Sequence, residues 1–383
     1  MEDLVMSKNY YKHLINELHS MSFNLLKLLI PIFITFVVGM LVTPPLTRMM
    51  YTHKMWKKNP RKSQPDERYK DGKIHPDAIS KEFEKINNTE DEVKTPRIGG
   101  VVIWVSVLVS TVLILLVGFV FPTDITTKLN FVSRNQTLLP FLALVAGSLV
   151  GLVDDILVIW AKPGIFIHGF PRKYMLGIIF TIGLVFALWF FFKLGASSVF
   201  VPLANVQWNI GVWFIPFFLL VVFGVFSSGV IDGVDGLAGG VMTSIFSAYA
   251  LIAYFQGQFD IAVFCAVIVA SLLVFLWFNV PPARFYLGET GMLGLTLSLT
   301  LVAFLTNQVL LLLVIGFPLV ATSLSSFIQI VSKKIRGPAG KVFRVAPLHH
   351  HFEAIGWSRP KITMRYWIIS VFFSVTGVII SLL

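Results

Sequence analysis

One cysteine in 383 residues, Cys265, leaves the chain without an intramolecular disulfide or a cysteine-based metal site. Charge is scarce as well, at 13% of residues against 56% hydrophobic, which excludes an ordinary soluble domain. No segment carries the ten-residue alternation of an outer-membrane barrel. No internal repeat supports an inverted-repeat transporter. A basic module interleaved with aromatics is missing outside the apolar runs, so no nucleic-acid partner is expected. No cleavable signal peptide is expected either. The first apolar run starts near residue 24, behind a mixed-charge leader without a small-residue cleavage site.

Long apolar runs are what the chain has in abundance. A helix needs about 20 apolar residues to cross a bilayer. Ten runs qualify: 24–46, 98–121, 137–154, 174–193, 208–227, 237–255, 260–279, 290–306, 308–331 and 364–383. The expected fold is all-α, a polytopic integral membrane protein with ten transmembrane helices. Arg48, Lys54, Lys57, Lys58, Arg61, Lys62 and Lys94 lie in one connecting segment. Lys162, Arg172 and Lys173 lie in a second, and Lys333, Lys334, Arg336, Lys341, Arg344, Arg359 and Lys361 in a third. The alternate connections hold only Lys128 and Arg134. By the positive-inside rule the basic segments are cytoplasmic and both termini are extracytoplasmic.

The domain reading follows from that topology. Residues 1–23 form an extracytoplasmic segment whose Leu14, Leu18 and Met21, at helical spacing, suit the membrane surface. Residues 24–383 form one ten-helix domain with a polar cytoplasmic loop at 47–97 and a histidine-containing cytoplasmic loop at 332–363. Pro60, Pro65, Gly72 and Pro76 mark 50–93 as a long loop, expected to be poorly ordered unless something binds it. The formal charge of +11 comes largely from these loops, which also meet anionic lipid heads. Gathering an anionic substrate is the second reading of that charge.

Five carboxylates stand at the ends of apolar runs: Asp154 and Asp155 in GLVDDIL, Asp232 and Asp235 in GVIDGVDGLAGG, and Glu289 in RFYLGETGM. An acid at a transmembrane helix centre costs about 2.5–3.5 kcal/mol even on lenient scales, so acids beside such spans are functional candidates. The expected topology puts all five on the cytoplasmic face. Asp154 and Asp155 end a span, where acids oppose the helix dipole and lysine or arginine would be favoured. Asp232 and Asp235 sit among glycines that let a ligand approach closely; one of them could instead cap the next helix. Glu289 precedes a helix N-terminus, suited either to capping or to holding a divalent cation against phosphate. His349, His350 and His351 in PLHHHFE read as contacts to phosphate or sugar hydroxyls, as a structural loop, or least readily as a metal site. In KTPRIGG the glycines allow close helix packing, and Lys94 is a candidate for an anionic or carbonyl group.

KTPRIGG, GLVDD, DGVDGLAGG, FNVPPARFYLGETG and APLHHHFE, in this order from about residue 24 to the C-terminus, closely resemble the phospho-N-acetylmuramoyl-pentapeptide transferases of bacterial cell-wall synthesis. That family is a branch of the polyprenyl-phosphate N-acetylhexosamine-1-phosphate transferases, and the histidine block points to this branch. The resemblance implies transfer of phospho-MurNAc-pentapeptide from UDP-MurNAc-pentapeptide to undecaprenyl phosphate, giving lipid I and UMP with Mg²⁺. It implies a site on the cytoplasmic face of the bacterial inner membrane, and a homodimer. By position, Asp154 and Asp155 match the acidic pair, the first of which is proposed to deprotonate the lipid phosphate. Glu289 stands at the Mg²⁺-binding position, and Lys94, Asp232, Asp235, Asn279 and Tyr286 match the uridine pocket. Lys173 matches a basic residue near the phosphates, and His349, His350 and His351 match the triple histidine.

Three departures stand out. Glu289 replaces the family's Asp, Val158 stands where a lysine follows the acidic pair, and Gly229-Val230-Ile231 replaces Asn-Leu-Thr before Asp232. They keep two alternatives open: a related transferase using UDP-N-acetylglucosamine, and a transporter or non-catalytic scaffold.

Overall fold

Nine helices among the described residues are long and apolar enough to cross a membrane. The structure is a computed structural model and describes residues 2–56, 69–70, 73–74, 94–132, 135–160, 169–337 and 340–383. The predicted polar loop therefore lies outside the described residues over most of 57–93, as does Lys162. The main helices are α1 (Glu2–Thr52), α2 (Val101–Val120), α3 (Asn135–Ile159), α4 (Arg172–Leu188), α5 (Phe214–Ser227) and α6 (Leu237–Phe255). They continue with α7 (Phe259–Asn279), α8 (Gly288–Leu305), α9 (Phe317–Arg336), the short α10 (Leu348–Ala354) and α11 (Arg359–Leu382).

Two differences from the sequence reading have clear physical causes. The run 308–331 is not one helix: a short turn, Leu312–Ile315, ends at Gly316, and α9 starts at Phe317 with Pro318 in its first turn. α9 turns Thr322, Ser325 and Gln329 inward and Leu324, Phe327 and Ile330 outward, and its last turn holds Lys333, Lys334 and Arg336. Its polar inner face keeps it out of the nine apolar spans. The second difference is that the fold is not purely helical. Between α4 and α5 an antiparallel hairpin pairs Ser198–Val201 with Val206–Asn209.

Burial sorts the helices. Over its most apolar window α8 is 89% buried and α7 78%, whereas α1 and α11 are only 22% buried. The outer helices expose Leu29, Phe33, Leu41, Ile368, Phe372 and Val375, which is the lipid-facing pattern of a membrane bundle. α8 lies centrally and packs most extensively on α3. Gly151 of α3 permits that approach, because a side chain there would collide with the backbone carbonyl of Glu289. Small residues at such crossings let helix backbones come close, and this one carries the acids of α3 up to the start of α8.

At the end of the bundle away from these acids, a cavity of about 310 Å³ lies beside the hairpin. Phe190, Phe214, Phe304 and Leu305 line it, with Gln136, Ser198 and Asn307 as its polar side chains.

Candidate active site

The acids open into a cavity of about 350 Å³ lined by Arg97, Asp154, Asp155, Val158, Gly229, Val230, Asp232, Gly288, Glu289 and Met292. Four segments build it: the KTPRIGG stretch, the last turns of α3, the 228–232 turn and the start of α8. Four of the five predicted carboxylates thus share one space.

Each aspartate is fixed by a different neighbour. Asp155 Oδ2 accepts hydrogen bonds from the Thr290 backbone N–H at 2.8 Å and the Thr290 hydroxyl at 2.7 Å, so it caps α8 from another helix. The positive end of a helix dipole favours a carboxylate there. Asp154 Oδ1 accepts from the Phe170 backbone N–H at 2.6 Å. The two neighbours point apart, as the roughly 100° step between successive helical residues requires. Asp232 Oδ2 accepts from the Gly288 N–H at 2.9 Å. Burial nevertheless raises the Asp232 carboxyl above its ordinary value, with the Gly288 bond and the charge of Arg97 opposing.

Gly288 has φ +67°, and a Cβ there would meet both the Arg97 carbonyl and the Asp155 carboxylate. Only glycine combines that backbone with that approach. Glu289, in the first turn of α8, has a carboxylate that makes no hydrogen bond among the described residues; it feels repulsion from Asp155, Asp154 and Asp232 and attraction from Arg97.

Asp235, the fifth acid, stands outside this lining. Neither it nor Asp232 caps α6, whose N-cap is Gly236. Asp235 Oδ2 instead accepts from the Ala283 N–H at 3.2 Å. Asn279 joins the same two loops: its side-chain oxygen accepts from the Gly236 N–H at 2.9 Å, and its nitrogen donates to the Phe285 carbonyl at 2.7 Å. Tyr286 pins the KTPRIGG stretch, its N–H donating to Pro96 and its carbonyl accepting from Gly99.

The remaining candidates lie apart from the cavity lining. Lys94 is exposed, and so is Lys173, whose ammonium sits 5.0 Å from the centroid of the Tyr174 ring. The three histidines have different partners. His349 is fully buried, with no hydrogen-bond partner on either ring nitrogen among the described residues. Burial, helped by the neighbouring His350, holds it well below the ordinary imidazole range. His350 Nδ1 pairs with Glu353 Oε2 at 3.1 Å, and Arg359 Nε donates to Glu353 Oε1 at 2.7 Å. His351 Nδ1 accepts from the Arg344 N–H. The Nε2 atoms of His349 and His350 would each lie 2.9 Å from a Cβ on Gly233, so both rings back the loop that carries Asp232.

Arg97 is the lining residue that sequence reasoning passed over. It shares a motif with Lys94, and that basic cluster did not reveal which cation turns inward.

The donor set suits a hard cation, being carboxylate oxygen throughout. Among the described residues no three His, Cys, Asp or Glu side chains are grouped to hold a metal ion by themselves. Mg²⁺ is commonly held by one or two carboxylates plus substrate phosphates and water, and Glu289 with one neighbouring aspartate meets that requirement.

Comparison with known proteins adds the chemistry of relatives. The model of glycosyl transferase family 4 matches residues 137–307, which include Asp154, Asp155, Asp232, Asn279 and Glu289. The phospho-N-acetylmuramoyl-pentapeptide-transferase of Geobacillus thermodenitrificans is 34% identical over 290 residues, 75% of this chain and 84% of the relative. Those of Geobacillus sp. (strain WCH70) and Bacillus subtilis are 33% and 31% identical over 288 residues, with the same coverage.

Proposed function

The chain belongs to the phospho-N-acetylmuramoyl-pentapeptide-transferase family, and we propose on that premise that it converts UDP-MurNAc-pentapeptide and undecaprenyl phosphate into lipid I and UMP. The observation that carries this reading is the single cavity in which four carboxylates and one guanidinium meet at one end of a membrane bundle. An acceptor with a polyprenyl tail stays in the bilayer and a nucleotide-linked donor arrives from water, so the reaction needs a polar site between helices at the interface.

The chemistry is a phosphoryl transfer. An oxygen of the lipid phosphate attacks the sugar-linked phosphorus, a P–O bond forms, and the bond to the UMP phosphate breaks with its bridging oxygen leaving on UMP. Such transfers depend on positioning and charge stabilisation more than on covalent help from the protein. Asp154, held by one hydrogen bond, keeps an oxygen with which to take the proton of the attacking phosphate. Asp155, held by two, keeps the start of α8 in place. Glu289 is the proposed ligand of Mg²⁺, which when bound would neutralise diphosphate charge. Asp235, Asn279 and Tyr286 shape the loops proposed to receive uridine, and His349 and His350 brace the loop of Asp232.

In the arrangement we favour, the bundle has ten crossings in a bacterial inner membrane, with 308–336 as the ninth. Both termini are then extracytoplasmic, the acid cavity faces the cytoplasm, and the chain works as a homodimer. Purified protein given UDP-MurNAc-pentapeptide, undecaprenyl phosphate and Mg²⁺ should release UMP. Failure to do so across lipid and metal conditions would refute the reading. Faster release from UDP-N-acetylglucosamine in a parallel assay would move the chain to a neighbouring branch.

A further inference from the structure

The acid cavity is short of positive charge. Its lining holds Asp154, Asp155, Asp232 and Glu289 but one cation, Arg97, and that guanidinium is attracted to all four acids. Among the described residues it nevertheless donates no hydrogen bond and closes no ion pair. An arginine kept only to neutralise a carboxylate would be expected to fork onto it, since bidentate pairing is the strong geometry for these two groups. Its main chain is fixed independently: the Arg97 N–H donates to the Met55 carbonyl at 3.1 Å, and its own carbonyl lies against Gly288. The half-buried side chain thus enters the cavity from a pinned backbone, with its planar donor array uncommitted among the described residues. Across the same lining, from the last turns of α3, comes Val158, which brings no charge.

We propose that Arg97 is the phosphate-contacting cation of this site, binding the diphosphate of the donor and stabilising the charge that moves onto the leaving phosphate. This rests on the transferase reading above. Two polyanions entering a cavity with four acids gain from a fixed cation beside any Mg²⁺, and a guanidinium carried on a pinned backbone suits that role. The proposal also makes Val158 the position from which a second cation could serve the same space.

The test combines binding and rate. Wild-type protein is titrated with uridine diphosphate by calorimetry in detergent, and UMP release is followed in the full assay. Arg97→Gln should weaken uridine diphosphate binding about tenfold and lower kcat about a hundredfold, the scale of one lost charge-stabilising donor. Arg97→Lys should fall between the two, keeping the charge and losing the fork. Adding Val158→Lys to Arg97→Gln should recover at least a tenth of the wild-type rate. A purely structural arginine would not be replaced by charge on another helix. Unchanged binding in Arg97→Gln, a wild type that does not bind uridine diphosphate, or no recovery in a double variant that unfolds at the wild-type temperature would overturn the proposal. Absent UMP release from wild type, with binding still dependent on Arg97, would instead overturn the transferase reading and leave Arg97 as an anion site.

Discussion

The two ends of this bundle hold cavities of similar size, about 350 and 310 Å³, and opposite character. One gathers four carboxylates and an arginine, whereas the other is walled by Phe190, Phe214, Phe304 and Leu305 and carries no charged side chain. Volume therefore does not separate the proposed reaction site from an apolar gap. The cost of the lining does. A carboxylate in low dielectric is expensive unless hydrogen bonds, counter-charge or ligand compensate it. In the first cavity Thr290, Phe170 and Gly288 supply part of that compensation from main-chain and hydroxyl donors. The balance is left for what enters.

The largest effects that would sharpen this contrast are expected at the acids. Asp154→Asn should lower the rate of UMP release about a thousandfold, within the range for loss of a positioned acid–base group. Its amide oxygen can still accept from Phe170, so the thermal midpoint should barely move. A variant retaining full rate would remove Asp154 from the chemistry. Glu289→Gln should abolish metal-dependent release while Glu289→Asp keeps it, read from rate against Mg²⁺ concentration.

Next in size is a backbone lesion. Gly288→Ala forces a side chain into φ +67° and against the Arg97 carbonyl. It should cost about 1–3 kcal/mol in thermal or denaturant unfolding and reduce the rate as well.

A smaller effect is expected behind the Asp232 loop, where Glu353 meets His350 and Arg359. Burial alone would raise the Glu353 carboxyl, but these two bonds and the Arg359 charge carry it below its ordinary value of 4.5. A depressed carboxyl contributes stability above its unfolded pKa and loses it as pH falls through the folded one. The gap in thermal midpoint between wild type and Glu353→Gln should therefore be full at pH 7 and shrink below about 4.5. A charged-group hydrogen bond of this kind is worth about 1.5–3 kcal/mol. A gap independent of pH would mean that the carboxylate charge is not what matters.

The smallest change belongs to the other cavity. Asn307→Ala or Ser198→Ala should leave UMP release within about twofold of wild type, as surface-type polar substitutions do. A large drop there would end the division between a reactive and an inert cavity.

The sequence made the spans and the acids legible for the same reason, since a bilayer demands unbroken apolarity and penalises every exception. Run 137–154 became α3, which continues past its acids to Ile159, and run 290–306 became α8. The run at 308–331 misled because a window average hides Gly316, Pro318 and the inward polar face of Thr322, Ser325 and Gln329. The partners of the acids were not legible at all. Thr290, 135 residues from Asp155, and Gly288, 56 from Asp232, are long-range main-chain donors that no spacing encodes. Arg97 was hidden by company, because a basic stretch beside a membrane already has a reason to exist. Lys94 drew the attention and lies exposed, three residues from the arginine that turns in.

α8 is both the most buried of the nine spans and the least apolar of them. Such a segment gains little from lipid on its own, so its residence in the membrane depends on helices already there to receive it. During synthesis α3 precedes it by more than a hundred residues, and the notch at Gly151 is waiting when Glu289 emerges. The contact that builds the cavity is thereby expected to act in biogenesis as well. Filling that notch should yield chains in which α8 fails to integrate, visible as a change in topology before any loss of rate is measured.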